Sequence, residues 1–391
     1  MKQLPNRLLS IDVFRAITML LMIFVNDVSG VKNIPEWIEH VSGKDDGMGF
    51  ADTIFPTFLF IVGLSLPFAL QNKMKKGESF LNIAAYILLR SAALIIMGFF
   101  HVNFGSYNAE AAGLSYSWYV ILVTISFFLI WLDYPETMDK MKKFILIGIG
   151  VGILMLMASI FKGGDAEKLH GLRPSWWGIL GIIGWAYLVC ATVFLLVKGN
   201  LNAVIAAFII FMGINILKHM DQLNVDIWLI GDASSVSLIM AGAVISLLYS
   251  EIISKGQDRK LLGVFAALGV LTLAAGHVVR PFADGISKIR STPAWVLISI
   301  GTAILVFELL IYLIDVKGQK NWFKAISPAG TSTLTCYLIP YLAYSVMGLF
   351  DTWFPPFFST GGWGIFRSFA FAFAVILLVG LMEKRRIRLK V

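Results

Sequence analysis

Residues 11–30 read IDVFRAITMLLMIFVNDVSG, and the part from Ala16 to Val25 carries no charge at all. A run of about 20 mostly apolar residues is the length at which an α-helix, rising about 1.5 Å per residue, crosses the roughly 30 Å hydrocarbon core of a bilayer. Its charged residues, Asp12 and Arg15 at one end and Asp27 at the other, sit where such a helix meets the headgroups. Runs of the same kind recur along the chain near 51–71, 81–103, 114–132, 143–161, 176–197, 201–217, 227–250, 261–279, 293–315, 326–350 and 363–382. The sequence therefore predicts an all-α fold, a polytopic transmembrane helix bundle of about 10–12 spans, with 1–391 forming one domain.

Composition agrees with that reading. Of 391 residues, 58% are hydrophobic and 14% charged, against about half and about a quarter in an average soluble domain. The 30 Phe and 11 Trp fit helices that meet lipid on some faces and neighbours on others. A net charge of +8 does not point to nucleic acid, because most Lys and Arg lie in short segments between apolar runs, where they report topology. If the first helix starts in the cytoplasm, 20 of the 32 basic residues fall on inner segments and nine on outer ones. The inner set includes Lys2, Arg7, Lys73, Lys75, Lys76, Lys140, Lys255, Arg259, Lys320 and the tail Lys384, Arg385, Arg386, Arg388 and Lys390. That bias predicts both ends inside and an even number of spans, in a multi-pass protein of the inner (cytoplasmic) membrane. The first residues lack the small-residue cleavage site of a signal peptide, so the first run is expected to persist. Cys190 and Cys336 lie within apolar runs without metal-like spacing, so neither a disulfide framework nor a metal is expected.

The same orientation places all five histidines, His40, His101, His170, His219 and His277, in outer loops or at outer helix ends. His is the side chain suited to proton chemistry near neutral pH, although avoidance of lipid would give the same distribution. Charges inside spans cost roughly 2.5 to 3.5 kcal/mol on insertion scales and need partners. Asp12 and Arg15, three apart, read as a pair at the inner helix end. Arg90 lies in mid-span, with Glu308 a candidate partner, and Arg367 and Asp351 read as anchors of the last helix. Asn26, Asp27, His40 and Asp52 gather an amide, two carboxylates and an imidazole at the outer face. Asp52 is equally suited to capping its helix.

Three stretches resemble the heparan-α-glucosaminide N-acetyltransferase family of transmembrane acyltransferases. They are RLLSIDVFRAITMLLMIFVN at 7–26, FADTIFPTFLFIVGLSL at 50–66, and YLIDVKG at 312–318 with SPAGTSTLTCYL at 327–338. An S-x-D-x-F-R helix, a loop histidine and an A-D-x-x-F-P-x-F helix occur in that order. The sequence departs from the family in a longer loop between His40 and Asp52, and in Leu180, Gly181 and Ile182 where the family has Leu-Gln-Arg. The resemblance implies acetyl-CoA as donor and co-substrate, no metal, and a catalytic histidine in the first loop, where His40 is the histidine present. Asn26 matches the asparagine closing the family's first motif, and Asp52 its Ala-Asp pair.

On chemical grounds His40 suits a general base or an acyl carrier, Asn26 a donor to the thioester oxygen, and Asp27 or Asp52 an orienter of the imidazole. No Gly-rich phosphate loop occurs, so Arg15 and Arg90 are the candidates for the donor's phosphates. The expected partners are acetyl-CoA, a sugar or glycan acceptor and membrane lipid, with a homodimer left open. The rival classes are a secondary transporter of a small polar solute, disfavoured by the lack of half-to-half similarity, and a non-catalytic assembly subunit.

Overall fold

The computed structural model describes residues 8–165, 167–225 and 227–391; Lys2 and Arg7 of the predicted inner face lie outside them. Among the described residues twelve apolar helices stand where the twelve runs were read. They are α1 (Leu9–Val28), α2 (Ala51–Lys75), α3 (Phe80–Phe104), α4 (Tyr116–Trp131), α5 (Lys140–Ile160), α6 (Gly178–Leu196), α7 (Leu201–His219), α8 (Ser234–Ser254), α9 (Asp258–Val279), α10 (Pro293–Leu310), α11 (Thr333–Leu349) and α12 (Gly361–Lys384). Among the described residues, extended chain occurs only as isolated bridges, so the fold is an all-α bundle. Among the described residues ten helices are long and apolar enough to cross a membrane, while α4 and α11, with 16 and 17 residues, are shorter. Polar caps define several entries: Ser79, Ser115 and Asn200 each accept a bond from the backbone N–H three residues on, which satisfies a donor that the first helical turn leaves open.

Contacts at the ends show that both short helices traverse the bundle. Leu389, past α12, bridges to Leu132, just past α4, and Arg388 and Lys390 pair with Asp133 at 2.9 and 3.2 Å. The ends of α4 and α12 therefore share a face, which requires an even number of traversals from α5 to α12 and hence one by α11. Likewise Arg15, near the start of α1, reaches Ser65 late in α2 and the carbonyl of Gly330 just before α11. An even number of helices must separate these points, so α4 traverses as well. The start of α1 and the tail lie on one face, here the tail face. The opposite face carries the loop with His40.

Small residues let the helices approach closely, the usual means of packing between helices that lipid does not drive together. A Cβ on Gly63 of α2 would stand 1.9 Å from the Ile239 carbonyl oxygen of α8, and one on Gly242 would stand 2.0 Å from the Phe60 oxygen. Backbone meets backbone there, with no flexible side chain to yield. Gly63→Ala is thus expected to force α2 and α8 apart and to cost about 1 to 3 kcal/mol as an overpacked contact. The check is the thermal unfolding midpoint of the purified variant, which should fall.

Candidate active site

The site forms where α1 hands over to α2. After a short 3-10 turn, Glu36–Ile38, the chain makes an excursion and returns, closed by the Phe50 N–H donating to the Trp37 oxygen at 2.7 Å. Gly49 makes this closure possible, since a Cβ there would lie 2.0 Å from the Glu39 oxygen. The excursion docks on the connection between α9 and α10. Asp46 accepts from the Ile286 N–H at 2.7 Å and from Arg280 at 3.0 Å, and the Gly47 N–H donates to the Ile286 oxygen. The Ile286 N–H, with Arg280 beside it, holds the Asp46 carboxyl below its ordinary value despite the opposing effect of burial.

This closure brings His40 to Asp52, with His40 Nδ1 and Asp52 Oδ1 2.6 Å apart. The other carboxylate oxygen accepts from the backbone N–H groups of Val41 and Gly49, both at 3.0 Å, and the Asp52 carbonyl accepts from the Trp295 indole at 3.0 Å. Asp52 is 1% exposed and His40 37%, so a buried, fully bonded carboxylate holds an imidazole that faces outward. Asp52 does not cap its helix, which begins at Ala51 with Phe50 as N-cap and no side-chain cap bond; its carboxylate reaches back instead to the N–H groups of Val41 and Gly49 and to His40. With Nδ1 donating to Asp52, the lone pair of Nε2 is directed away from it.

Lys288, on the α9–α10 connection, was not foreseen. Its Nζ lies 3.2 Å from His40 Nδ1, 3.3 Å from Nε2 and 4.0 Å from Asp52. Nearly equal distances to both ring nitrogens place the amine off the imidazole plane, because an in-plane approach would collide with Cε1. Burial pushes the Lys288 ammonium down from its ordinary range, against the opposing pull of Asp52.

Asp27 does not join this cluster. It is bound to Arg367 of α12 at 3.0 Å, with side-chain exposures of 3% for Asp27 and 13% for Arg367. A carboxylate near the negative end of α1 requires such a cation. Arg367 is therefore the partner of a buried charge rather than a surface anchor. Arg90 likewise differs from the expectation: it donates to the Val391 oxygen at 2.7 Å and to Tyr86 at 3.3 Å, and lies 5.3 Å from the Tyr187 ring centroid, instead of pairing with Glu308. Arg15 pairs with Asp12 at 3.2 Å as read from the spacing.

Two cavities lie inside the bundle. One of 340 Å³, toward the tail face, is lined by Arg15, Ser65, Tyr86, Arg90 and Val391 among others. A second, of 210 Å³, is lined by Asn26, Asp27, Tyr341 and Tyr344. Ile179 and Tyr337 line both, so the two meet at a shared wall inside the bundle. Asn26 thus opens on the second cavity, whereas His40 lines neither.

The tail closes the larger cavity. Burial raises the Asp133 carboxyl, but bonds from Arg388 and Lys390 outweigh it and leave the group below its ordinary value of 3.8. A carboxylate lowered on folding stabilises the docked tail above that ordinary value, and the contribution is lost as pH falls through the lowered one. Asp133→Asn should remove it at every pH. The measurement is hydrogen exchange at the Leu389 amide, which is bonded to Thr335 at 3.0 Å; exchange should quicken in the variant at neutral pH.

A bundle of traversing helices, with a carboxylate–imidazole pair at one face and two arginines in a cavity toward the other, defines a polytopic membrane protein. A family model described as "Domain of unknown function (DUF5009)" matches residues 7–228, and the chain belongs to that family. Over 101 residues it is 38% identical to heparan-alpha-glucosaminide N-acetyltransferase of Homo sapiens, and over 99 residues 36% identical to the protein of that name in Mus musculus. These matches cover 26% and 25% of this chain, and the chain spans 14% of the length of each relative. They support the resemblance seen in the motifs.

Proposed function

We propose that this protein is a membrane-embedded acyltransferase, one domain over 1–391, that moves an acetyl group from cytoplasmic acetyl-CoA to an amino or hydroxyl group of a sugar or glycan on the other side of the membrane. In this reading the tail face is cytoplasmic, as the basic residues suggest, and the membrane is the inner one. The observation that supports it best is the His40–Asp52 pair, with Asp52 fixed by two backbone donors. Acetyl transfer needs a nucleophile relieved of its proton or a group that carries the acetyl. A neutral imidazole held at Nδ1 serves for either, and a positioned base contributes roughly 10² to 10⁴ in rate.

Arg15 and Arg90 take the phosphates of the donor in the larger cavity, where guanidinium groups suit phosphate oxygens. The thin pantetheine arm then extends past Ile179 and Tyr337 toward Asn26, whose amide donates to the thioester oxygen as charge develops. The chain's similarity to N-acetyltransferases favours this reading over a solute transporter. It is tested by incubating the purified protein with acetyl-CoA and a panel of aminosugars and oligosaccharides. A gain of one acetyl group on an acceptor supports the proposal; no gain on any acceptor, with acetyl-CoA intact, contradicts it.

A further inference from the structure

Lys288 brings an amine to the His40 imidazole. It is the amine nearest to His40, it belongs to a connection locked to the His40 excursion through Asp46, Gly47 and Ile286, and its Nζ lies over the imidazole at 3.2 and 3.3 Å from the ring nitrogens. An acetyl group on Nε2 lies in the plane of the ring through conjugation. A nucleophile attacks such a carbonyl from above the plane, the side on which Lys288 is held, and an amine held beside the reacting group reacts far faster than a free one. We infer that Lys288 is an internal acetyl acceptor, modified by the protein's own His40 chemistry when donor is present and no external acceptor is bound.

The inference rests on the acyl-carrier arm of the proposed function. His40 Nε2 attacks the thioester carbonyl, the C–S bond breaks, and CoA leaves as a thiolate that takes up a proton. The Nδ1 proton stays on the bond to Asp52. The neutral Lys288 amine then forms a bond to the acetyl carbon, the bond to Nε2 breaks, and the proton shed by the amine passes to solvent. In sum an ammonium and acetyl-CoA give an acetyl-lysine, CoA thiol and one proton, with nothing oxidised or reduced. Burial of Lys288, which disfavours its ammonium form, raises the share of reactive amine. The product removes the positive charge 4.0 Å from Asp52, so the modification would also change the electrostatics of the site.

The experiment incubates the full-length purified protein with isotopically labelled acetyl-CoA, with and without the aminosugar panel, and maps acetylated lysines by peptide mass spectrometry. Without acceptor, label at Lys288 should exceed that at the exposed Lys32 and Lys44 by roughly tenfold or more. It should disappear in His40→Ala and His40→Gln, each confirmed as folded by its elution and unfolding midpoint, and in Lys288→Arg. Equal labelling of Lys288 in the His40 variants would mean ordinary chemical acetylation and would overturn the inference. An unlabelled Lys288 in protein that acetylates an added sugar would overturn it while leaving the proposed function intact. Label on neither Lys288 nor any sugar would overturn both.

Discussion

His40→Ala is expected to lower acetyl transfer by about 10² to 10⁴, the range a positioned base or carrier supplies, while the bundle stays folded. The imidazole is more than one-third exposed, so its loss leaves no cavity in the core. Asp52 keeps its bonds to the Val41 and Gly49 N–H groups and its ion pair with Lys288. The loss should therefore fall on kcat, with the unfolding midpoint within a degree or two of the parent. Steady-state rates and a thermal melt on the same preparation check both halves. A variant that retains full transfer would remove His40 from the site.

Arg367→Met should act in the opposite way, on stability first. It leaves the Asp27 carboxylate, 3% exposed, without its cation near the negative end of a helix. Breaking a buried ion pair from one side costs about 3 to 5 kcal/mol, whereas replacing both partners often costs far less. The double variant Asp27→Asn/Arg367→Met should therefore recover much of the stability lost by the single one, a coupling that a double-mutant cycle in denaturant reads directly. Because Asp27 lines the smaller cavity, the double variant also tests whether the ion pair matters to the acceptor side of the reaction.

The helices were legible because membrane-spanning segments repeat one simple requirement, about 20 apolar residues between polar ends. In the structure α4 and α11, with 16 and 17 residues, are shorter than that length, and contacts of Leu389 with Leu132 and of Arg15 with Gly330 settle their course. In the site, sequence offered Asp27 or Asp52 as the partner of His40, and the structure pairs it with Asp52, 12 residues away. Lys288 lies 248 residues from His40 and Arg367 lies 340 from Asp27. No local spacing rule reaches that far. A signal did exist: both are cations at the face where the basic residues are scarce, and a charge placed against the topological bias needs a local reason. Arg90 was misassigned to Glu308 because a mid-span charge implies a partner without naming it, and the partner proved to be the folded-back tail.

The central claim is that donor and acceptor are used on opposite sides of the membrane. Sealed vesicles with the protein in one orientation, acetyl-CoA supplied only at the tail face and a membrane-impermeant aminosugar only at the His40 face, test this most directly. Acetylated sugar should accumulate in the His40-face compartment with stoichiometric release of CoA at the tail face, and His40→Ala should abolish it. Transfer that occurs only when both substrates share one compartment would contradict the account.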